Sequence, residues 1–420
     1  MRVVVVGAGV IGVTTAYFLA RHGCDVTVLE REPEAAAGTS HANAGMLTPS
    51  MADPWNAPGL AWHLLRWLGR EDAPFLLRPS VLPSMARWGL KFLRQSTPAR
   101  FRANSKKNLR LALYSLEQLR ALRADLKLPY DALANGTIKV FRDARGFADG
   151  QARTQMLTAM GLQVRTLTPA QAVALEPSLA PVQSQLVGAI HCPQDESGDA
   201  RAFTEGLAAR AREFGVEFHF GAEVTGVERS GDRIAAVLAG GARYTADSFV
   251  LAAGCWSPRF LQQFGARLPL QPVKGYSITV DASGWDGAPR MPVIDDALHA
   301  AVTPLGSRLR IAGTAELAGF DRSLNPARIE NLFRLLLSLF PGFAPRLDRA
   351  RASPWAGLRP VSADGVPHLG RFAMDNLFLN TGHGHLGWTL AAGSARLVAD
   401  LVAGARPGLD LEPYDPNRRS

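Results

Sequence analysis

Val3-Val-Val-Val-Gly7-Ala-Gly9-Val-Ile-Gly12 decides the fold of this 420-residue chain. An apolar strand ending at Val6 runs into Gly-x-Gly-x-x-Gly. The stretch from Val10 to His22 predicts a helix, and Val26-Thr-Val-Leu predicts a second strand that stops at Glu30. Strand, glycine turn, helix, strand and acid are the parts of a dinucleotide-binding βαβ unit, in order. Gly7 permits the tight turn, Gly9 lets a pyrophosphate approach the backbone beside Val10 and Ile11, and Gly12 lets helix and strand pack closely. The helix start offers unpaired N–H groups and the positive dipole end to that pyrophosphate. Glu30 stands where a carboxylate accepts hydrogen bonds from ribose hydroxyls. A bound adenine dinucleotide follows.

Composition sets the frame. Hydrophobic residues make up 47% and charged residues 20%, an ordinary globular balance with length enough for two or three domains. No apolar run reaches the ~18 residues that span a bilayer, and the first strand carries the nucleotide motif, so it is not an export signal. A cytoplasmic protein is expected. Cys24, Cys192 and Cys255 have neither metal nor redox spacing and read as buried hydrophobes; no metal is expected. The net charge is +9, carried mostly by arginine and concentrated between about residues 66 and 123. No basic run interleaved with aromatics suggests nucleic acid.

Further along, residues 54–128 read as helical, with Trp55, Trp62, Trp67 and Trp88 crowded among leucines and arginines. Leucines at 109, 113, 116, 119 and 122 mark a long helix from Pro98 to Leu126. Val187–Cys192 reads as a strand, Asp199 as a helix cap, and Ser248-Phe-Val-Leu-Ala252-Ala253-Gly254-Cys-Trp256 as a strand ending in small residues that leave room for a cofactor. Strands crowd together between 269 and 313 without helical crossovers, which predicts an antiparallel sheet. Gly382-His383-Gly384-His385-Leu386-Gly387-Trp388-Thr389 places a second glycine-bearing loop at the start of a closing helix. Nucleotide signals at the start, middle and end predict an α/β fold. Its Rossmann-type cofactor domain is discontinuous (1–85, 187–266 and 355–420). An antiparallel-sheet α+β substrate domain is built from 86–186 and 267–354. The extra cofactor elements favour FAD over NAD, since a flavin ring needs clamping and shielding. The dipole of the closing helix would stabilise negative charge on the reduced ring.

Several long strings now carry a resemblance: Thr39-Ser-His-Ala-Asn-Ala-Gly45, Pro54-Trp-Asn-Ala-Pro-Gly59, Pro272-Val-Lys-Gly-Tyr276, Gly357-Leu-Arg-Pro360 and Asn380–Thr389, with the first glycine motif and Glu30-Arg31. Over essentially its whole length the chain resembles the FAD-dependent D-amino-acid oxidase superfamily, most closely the bacterial D-amino-acid dehydrogenases. The resemblance implies oxidative deamination of D-amino acids to 2-oxo acids and ammonia. A hydride passes from Cα to flavin N5, and the electrons go on to a quinone, a carrier protein or an artificial acceptor. Secondary amino acids (cis-4-hydroxy-D-proline, D-proline, sarcosine) and glycine are the alternative substrates. The resemblance assigns Arg359 to the substrate carboxylate, a task that suits a guanidinium fork. Tyr276 either assists that carboxylate or packs in the sheet. His383 or His385 contacts the flavin or takes the ammonium proton; His385 is left open. Ser40, Asn43, Ala44, Gly45, Met46, Val224 and Gly357 are placed beside the cofactor in the same way. His41, Met46 and His385 stand where the dehydrogenases commonly have alanine, glutamine and threonine, which opens the question of substrate preference.

Trp55–Arg102 carries two readings of equal weight. Its Trp/Arg/Leu helices either rest in a headgroup layer, giving peripheral contact with the inner membrane, or pack on the substrate domain. Other classes also stand: an NAD(P) dehydrogenase, a flavin-based sensor, and a domain of a tRNA-modifying enzyme, the last disfavoured by the lack of basic tracts.

Overall fold

The computed structural model describes residues 1–60, 75–298 and 300–418. Among them two large sheets form the frame. The first has six strands in the order His368–Arg371, Leu377–Thr381, Ser248–Leu251, Arg2–Val6, Asp25–Leu29, Glu217–His219. Its inner strands run parallel and are buried on both faces, as their unbroken Val/Leu runs require. The second sheet has nine strands, led by Ser353–Ser362, Leu270–Asp281 and Arg308–Leu317 and continuing through Ala300–Leu305, Val293–Asp295 and Thr137–Phe141.

The antiparallel expectation holds between residues 270 and 317 but not throughout. Val293–Asp295 pairs parallel with Thr137–Phe141, and Phe75–Leu77 adds parallel to Ala315–Leu317. That last strand lies where helix was expected; the rest of the crowded stretch, 61–74, falls outside the described residues. Two strands expected on the cofactor side, Gly188–Cys192 and Ser353–Ser362, pair in the second sheet instead. Apolar strands look alike in sequence, and only their partners decide which sheet they join.

The predicted helices form close to their expected bounds. Val10–Arg21 follows the glycine turn, Asp199 caps Ala200–Glu213 by accepting from the amides of Arg201 and Ala202, and Gly387–Val402 closes the fold. The 29-residue helix Pro98–Leu126 begins on a Thr97 cap. It was expected on the substrate side. Its Leu111, Ala112, Leu119 and Leu122 instead join the core that holds Tyr17, Val26 and Leu390. Near its start the buried Asn104 donates to the Asp364 carbonyl, and Asn108 donates to the carbonyls of Ala52 and Gly365. A Cβ on Gly393 would lie 2.8 Å from Ser115, so only glycine lets the closing helix meet this one so closely. All three cysteines are buried.

Candidate active site

The two sheets enclose a cavity of about 710 Å³, reached by residues from the glycine motif, from Ala252–Trp256 and from each string that carries the family resemblance. At one end lies the glycine turn. Gly7 has φ +109, and a Cβ on Gly12 would sit 1.8 Å from the Gly7 carbonyl oxygen. Gly12 therefore serves packing and lies off the cavity wall, while Val6, Gly7, Gly9, Val10 and Ile11 line it. The Val10 amide already donates to Ser40 Oγ at 3.0 Å. Glu30 accepts from the amides of Ala8 (2.6 Å) and Glu32 (2.9 Å), one on each carboxylate oxygen, so its lone pairs are only partly used. Arg31 lies 4.0 Å over the Trp256 ring, and Val224, Ala252, Ala253 and Gly254 complete this end.

In the middle, the loop from Ser40 to Met46 is held against the second sheet. Ser277 Oγ donates to the Ala42 carbonyl (2.6 Å), Arg310 donates to the Asn43 carbonyl (2.9 Å), and Asn43 Oδ1 accepts from the Gly45 amide. Asn43, Ala44, Gly45 and Met46 all face the cavity. His41 does not; it turns to Arg201 Nη1 (3.1 Å) and stacks on Trp355. Opposite, His383, Gly384, His385, Gly387 and Trp388 line the wall, whereas Gly382, Leu386 and Thr389 do not. Leu386 is core, Gly382 makes a left-handed turn against His368, and Thr389 Oγ1 accepts from the Thr48 amide.

Arg359 occupies the edge strand of the second sheet at the far end. Gly275 and Gly357 face each other across the ladder beside it. A Cβ on Gly275 would lie 2.1 Å from Arg359 Nη1, and one on Gly357 would lie 1.9 Å from the Trp355 ring. The first glycine thus empties a seat for the guanidinium. Arg359 Nη1 donates to the Thr314 carbonyl (3.2 Å), and its Cζ lies 5.3 Å from the centre of the Trp55 ring. Among the described residues no carboxylate pairs with it. Burial pushes it down to about 10, so it stays a cation at neutral pH. Thr314 itself has φ +59, a conformation that β-branched residues rarely adopt. It sits at a bulge where Lys274 pairs with Glu316 and Tyr276 with Gly313.

Tyr276 lines the cavity, but its hydroxyl donates to buried Glu316 at 2.6 Å. Burial and that carboxylate both push the phenol up. Burial alone would raise Glu316, yet the Tyr276 hydroxyl and the Arg78 guanidinium outweigh it and hold it ionised. The Tyr276 proton is therefore engaged, and the packed reading of this residue gains. His383 Nε2 lies 3.0 Å from Ser394 Oγ, and His385 Nε2 donates to the Met51 carbonyl at 3.1 Å. Burial holds His383 down at about 3; burial, with Arg359 nearby, holds His385 at about 4. Both rings are neutral at pH 7, and neither is basic enough to take an ammonium proton. His385 also stacks on Trp55 (5.0 Å between centres, 12°). Sequence reasoning assigned no site role to Trp55, Phe75, Thr314 or Lys139, which also line the cavity. Trp55 lay inside a quoted motif; the others carried no local signal.

The family described as DAO, FAD dependent oxidoreductase, matches residues 2–401. The chain belongs to it. A D-amino acid dehydrogenase of Paramagnetospirillum magneticum is 44% identical over 98% of this chain and 97% of its own length. Another of that name from Azorhizobium caulinodans is 43% identical over the whole of both chains. Among solved structures, glycine oxidase from Geobacillus kaustophilus superposes with a TM-score of 0.78 at 25% identity, covering 100% of this chain and 99% of its own. L-proline dehydrogenase from P. horikoshii shares the fold (TM-score 0.77, 19% identity, 99% and 96% covered). FAD is the cofactor of this family member, and the cavity fits it. A left-handed glycine turn sits at a helix start, a half-satisfied carboxylate follows, and a long trough runs between the sheets.

Proposed function

We propose that this oxidoreductase is a D-amino acid dehydrogenase whose Arg359 binds the substrate carboxylate. One observation carries the reading: a cation sits in a glycine-emptied seat on the cavity wall, with a carbonyl and an aromatic face for company but no anion among the described residues. A carboxylate arriving in two parallel hydrogen bonds compensates that charge and fixes the angle of Cα. FAD would be held by the Gly7–Val10 turn, Glu30 and Arg31, the Asn43–Met46 loop and the loop before Gly387, and when bound it supplies the acceptor for the hydride. With both imidazoles neutral and weakly basic, the amine gives its proton to solvent and reacts as the free base. Turnover then rises with pH toward the pKa of the substrate amine.

The test is anaerobic bleaching of the flavin against D- and L-amino acids, D-proline, hydroxy-D-proline, glycine and sarcosine. Arg359→Ala should keep the yellow colour and lose kcat/KM by about 10²–10³-fold, as for a charged hydrogen-bonded contact. Normal turnover by that variant refutes the assignment.

For the electron acceptor we favour a membrane quinone. Among the described residues no helix is long and apolar enough to cross a membrane. The helix Leu82–Arg94 turns Met85, Trp88 and Phe92 inward and leaves Leu82 (44%), Leu90 (54%) and Leu93 (43%) exposed. With Ala86 they recur at helical spacing as one stripe, beside Arg87, Lys91 and Arg94. No Asp or Glu occurs between residues 75 and 116. An apolar stripe flanked by cations suits an anionic headgroup layer. Failure to cosediment with anionic vesicles at low salt sinks this part alone.

A further inference from the structure

Resting on the D-amino acid reading, we propose that the cavity end beside Arg359 is a pocket for a large apolar side chain, with Trp55 as its specificity-determining residue. If Arg359 holds the carboxylate, the side chain must fill the space next to it. The described walls there include the apolar Trp55, Leu60, Phe75 and Ala315, alongside Thr314, Tyr276 and His385. Phe75 and Ala315 belong to a packed cluster with Met85, Trp88 and Phe92, and Trp55 and Leu60 lean against it. Trp55 is held from three sides: the His385 ring stacks on it, the Phe75 ring meets it edge-on at 6.4 Å and 83°, and Arg359 lies over it. This wall is a rigid surface, not a loose side chain.

Charged partners for a substrate side chain lie elsewhere. Asp295 is paired with Arg142 and Asp296 with Lys139. Both acids stand at the end of the strand Val293–Asp295, four places from the edge strand of Arg359, about 19 Å at normal strand spacing. Glu30, Arg31, Glu32, Glu223, Arg259 and Arg322 line the glycine-turn end, Arg259 over the Trp256 ring and Arg322 paired with Glu32. An acidic or basic side chain beside Arg359 therefore meets no counter-ion among the described residues, and a buried charge without a partner binds poorly. An apolar one gains roughly fourfold for each methylene buried. The geometry thus favours D-leucine, D-methionine or D-phenylalanine over D-alanine, D-aspartate or D-lysine.

Initial rates of the holoenzyme with a dye acceptor test this. We expect kcat/KM for D-leucine and D-phenylalanine to exceed that for D-alanine by about 10-fold or more, and that for D-aspartate and D-lysine by about 100-fold. Trp55→Ala should cut the D-phenylalanine to D-alanine ratio at least about tenfold. Leu60→Arg should raise kcat/KM for D-aspartate relative to D-leucine, a gain that misfolding cannot imitate. D-aspartate or D-lysine turned over as fast as D-leucine by the parent, or a ratio unmoved by Trp55→Ala, overturns the pocket while leaving the D-amino acid reading intact. No turnover of any D-amino acid overturns both.

Discussion

Replacing Gly275 with alanine tests the seat of Arg359 without touching the arginine. The new Cβ would lie 2.1 Å from Nη1, 2.3 Å from Cζ and 2.4 Å from Nη2 of Arg359. Non-bonded heavy atoms settle near 3.5 Å, so the guanidinium must retreat by more than about 1 Å. The φ of Gly275 is outside the left-handed region, so alanine brings no backbone strain of its own. The clash falls on the end of a flexible side chain, and the stability cost stays near the low end for overpacking, about 1 kcal/mol. Activity responds more steeply. A displacement of that size in a substrate-positioning group costs about 10²-fold, or about 2.7 kcal/mol in transition-state free energy. The assay is kcat/KM with a D-amino acid and a dye acceptor, read alongside flavin absorbance and melting temperature. A Gly275→Ala protein with full flavin and parental kcat/KM would show that the guanidinium position beside Gly275 is not the one used, and the carboxylate assignment would fall with it.

Other perturbations read other parts. Tyr276→Phe leaves the Glu316 carboxylate without its 2.6 Å donor and should cost about 1–3 kcal/mol in urea unfolding, with kcat/KM within about threefold of the parent; a 100-fold loss would restore a catalytic hydroxyl. Arg418 donates to both oxygens of Asp364 and to the Val366 and Pro367 carbonyls, and with its help Asp364 is held at about 2 against the pull of burial. That carboxylate's stabilising share is present above its unfolded value of 3.8 and is lost as pH falls toward 2. Arg418→Ala should cost about 3–5 kcal/mol at pH 7, and a change under about 1 kcal/mol would contradict the buried pairing. Asp195 moves the other way. Burial pushes it up to about 6 although Ser50 and Thr137 donate to it, so its share of stability falls by about 3 kcal/mol as pH rises from 3.8 through 6. Asp195→Asn should remove that dependence, measured as the difference in unfolding free energy between pH 4 and pH 7; an identical difference in parent and variant would refute it.

Much of this was readable before any coordinates. The glycine turn, its strand and helix, the 98–126 helix and the Asp199 cap all rest on local rules: small residues where the chain turns, apolar spacing of 3.6, an acid before a helix. The cavity gathers most of the residues placed beside the cofactor, while the 98–126 helix and the Asp199 cap lie off its wall. What escaped is non-local. A three-residue strand at Phe75–Leu77 is too short to show a period, and its parallel partner lies some 240 residues on. The acceptor of the Tyr276 hydroxyl is forty residues downstream on a neighbouring strand, so nothing near Tyr276 reveals that its proton is spoken for. The weak basicity of His383 and His385 comes from burial, which the loop's own sequence does not announce. Gly275 and Gly357 looked like family strings. Only their register, face to face, reveals one as a vacated place for a cation and the other for a tryptophan.

The 29-residue helix Pro98–Leu126 bears on how anything gets in. Its C-terminal half is sunk in the core of the parallel sheet, while Asn104 and Asn108 near its start tether the loops at Ala52 and Asp364–Gly365. It works as a tie-beam. Moving those loops away from it would strip the buried amide hydrogen bonds of Asn104 and Asn108. Any opening of the cavity that displaces these loops therefore carries the cost of buried amide groups left without partners.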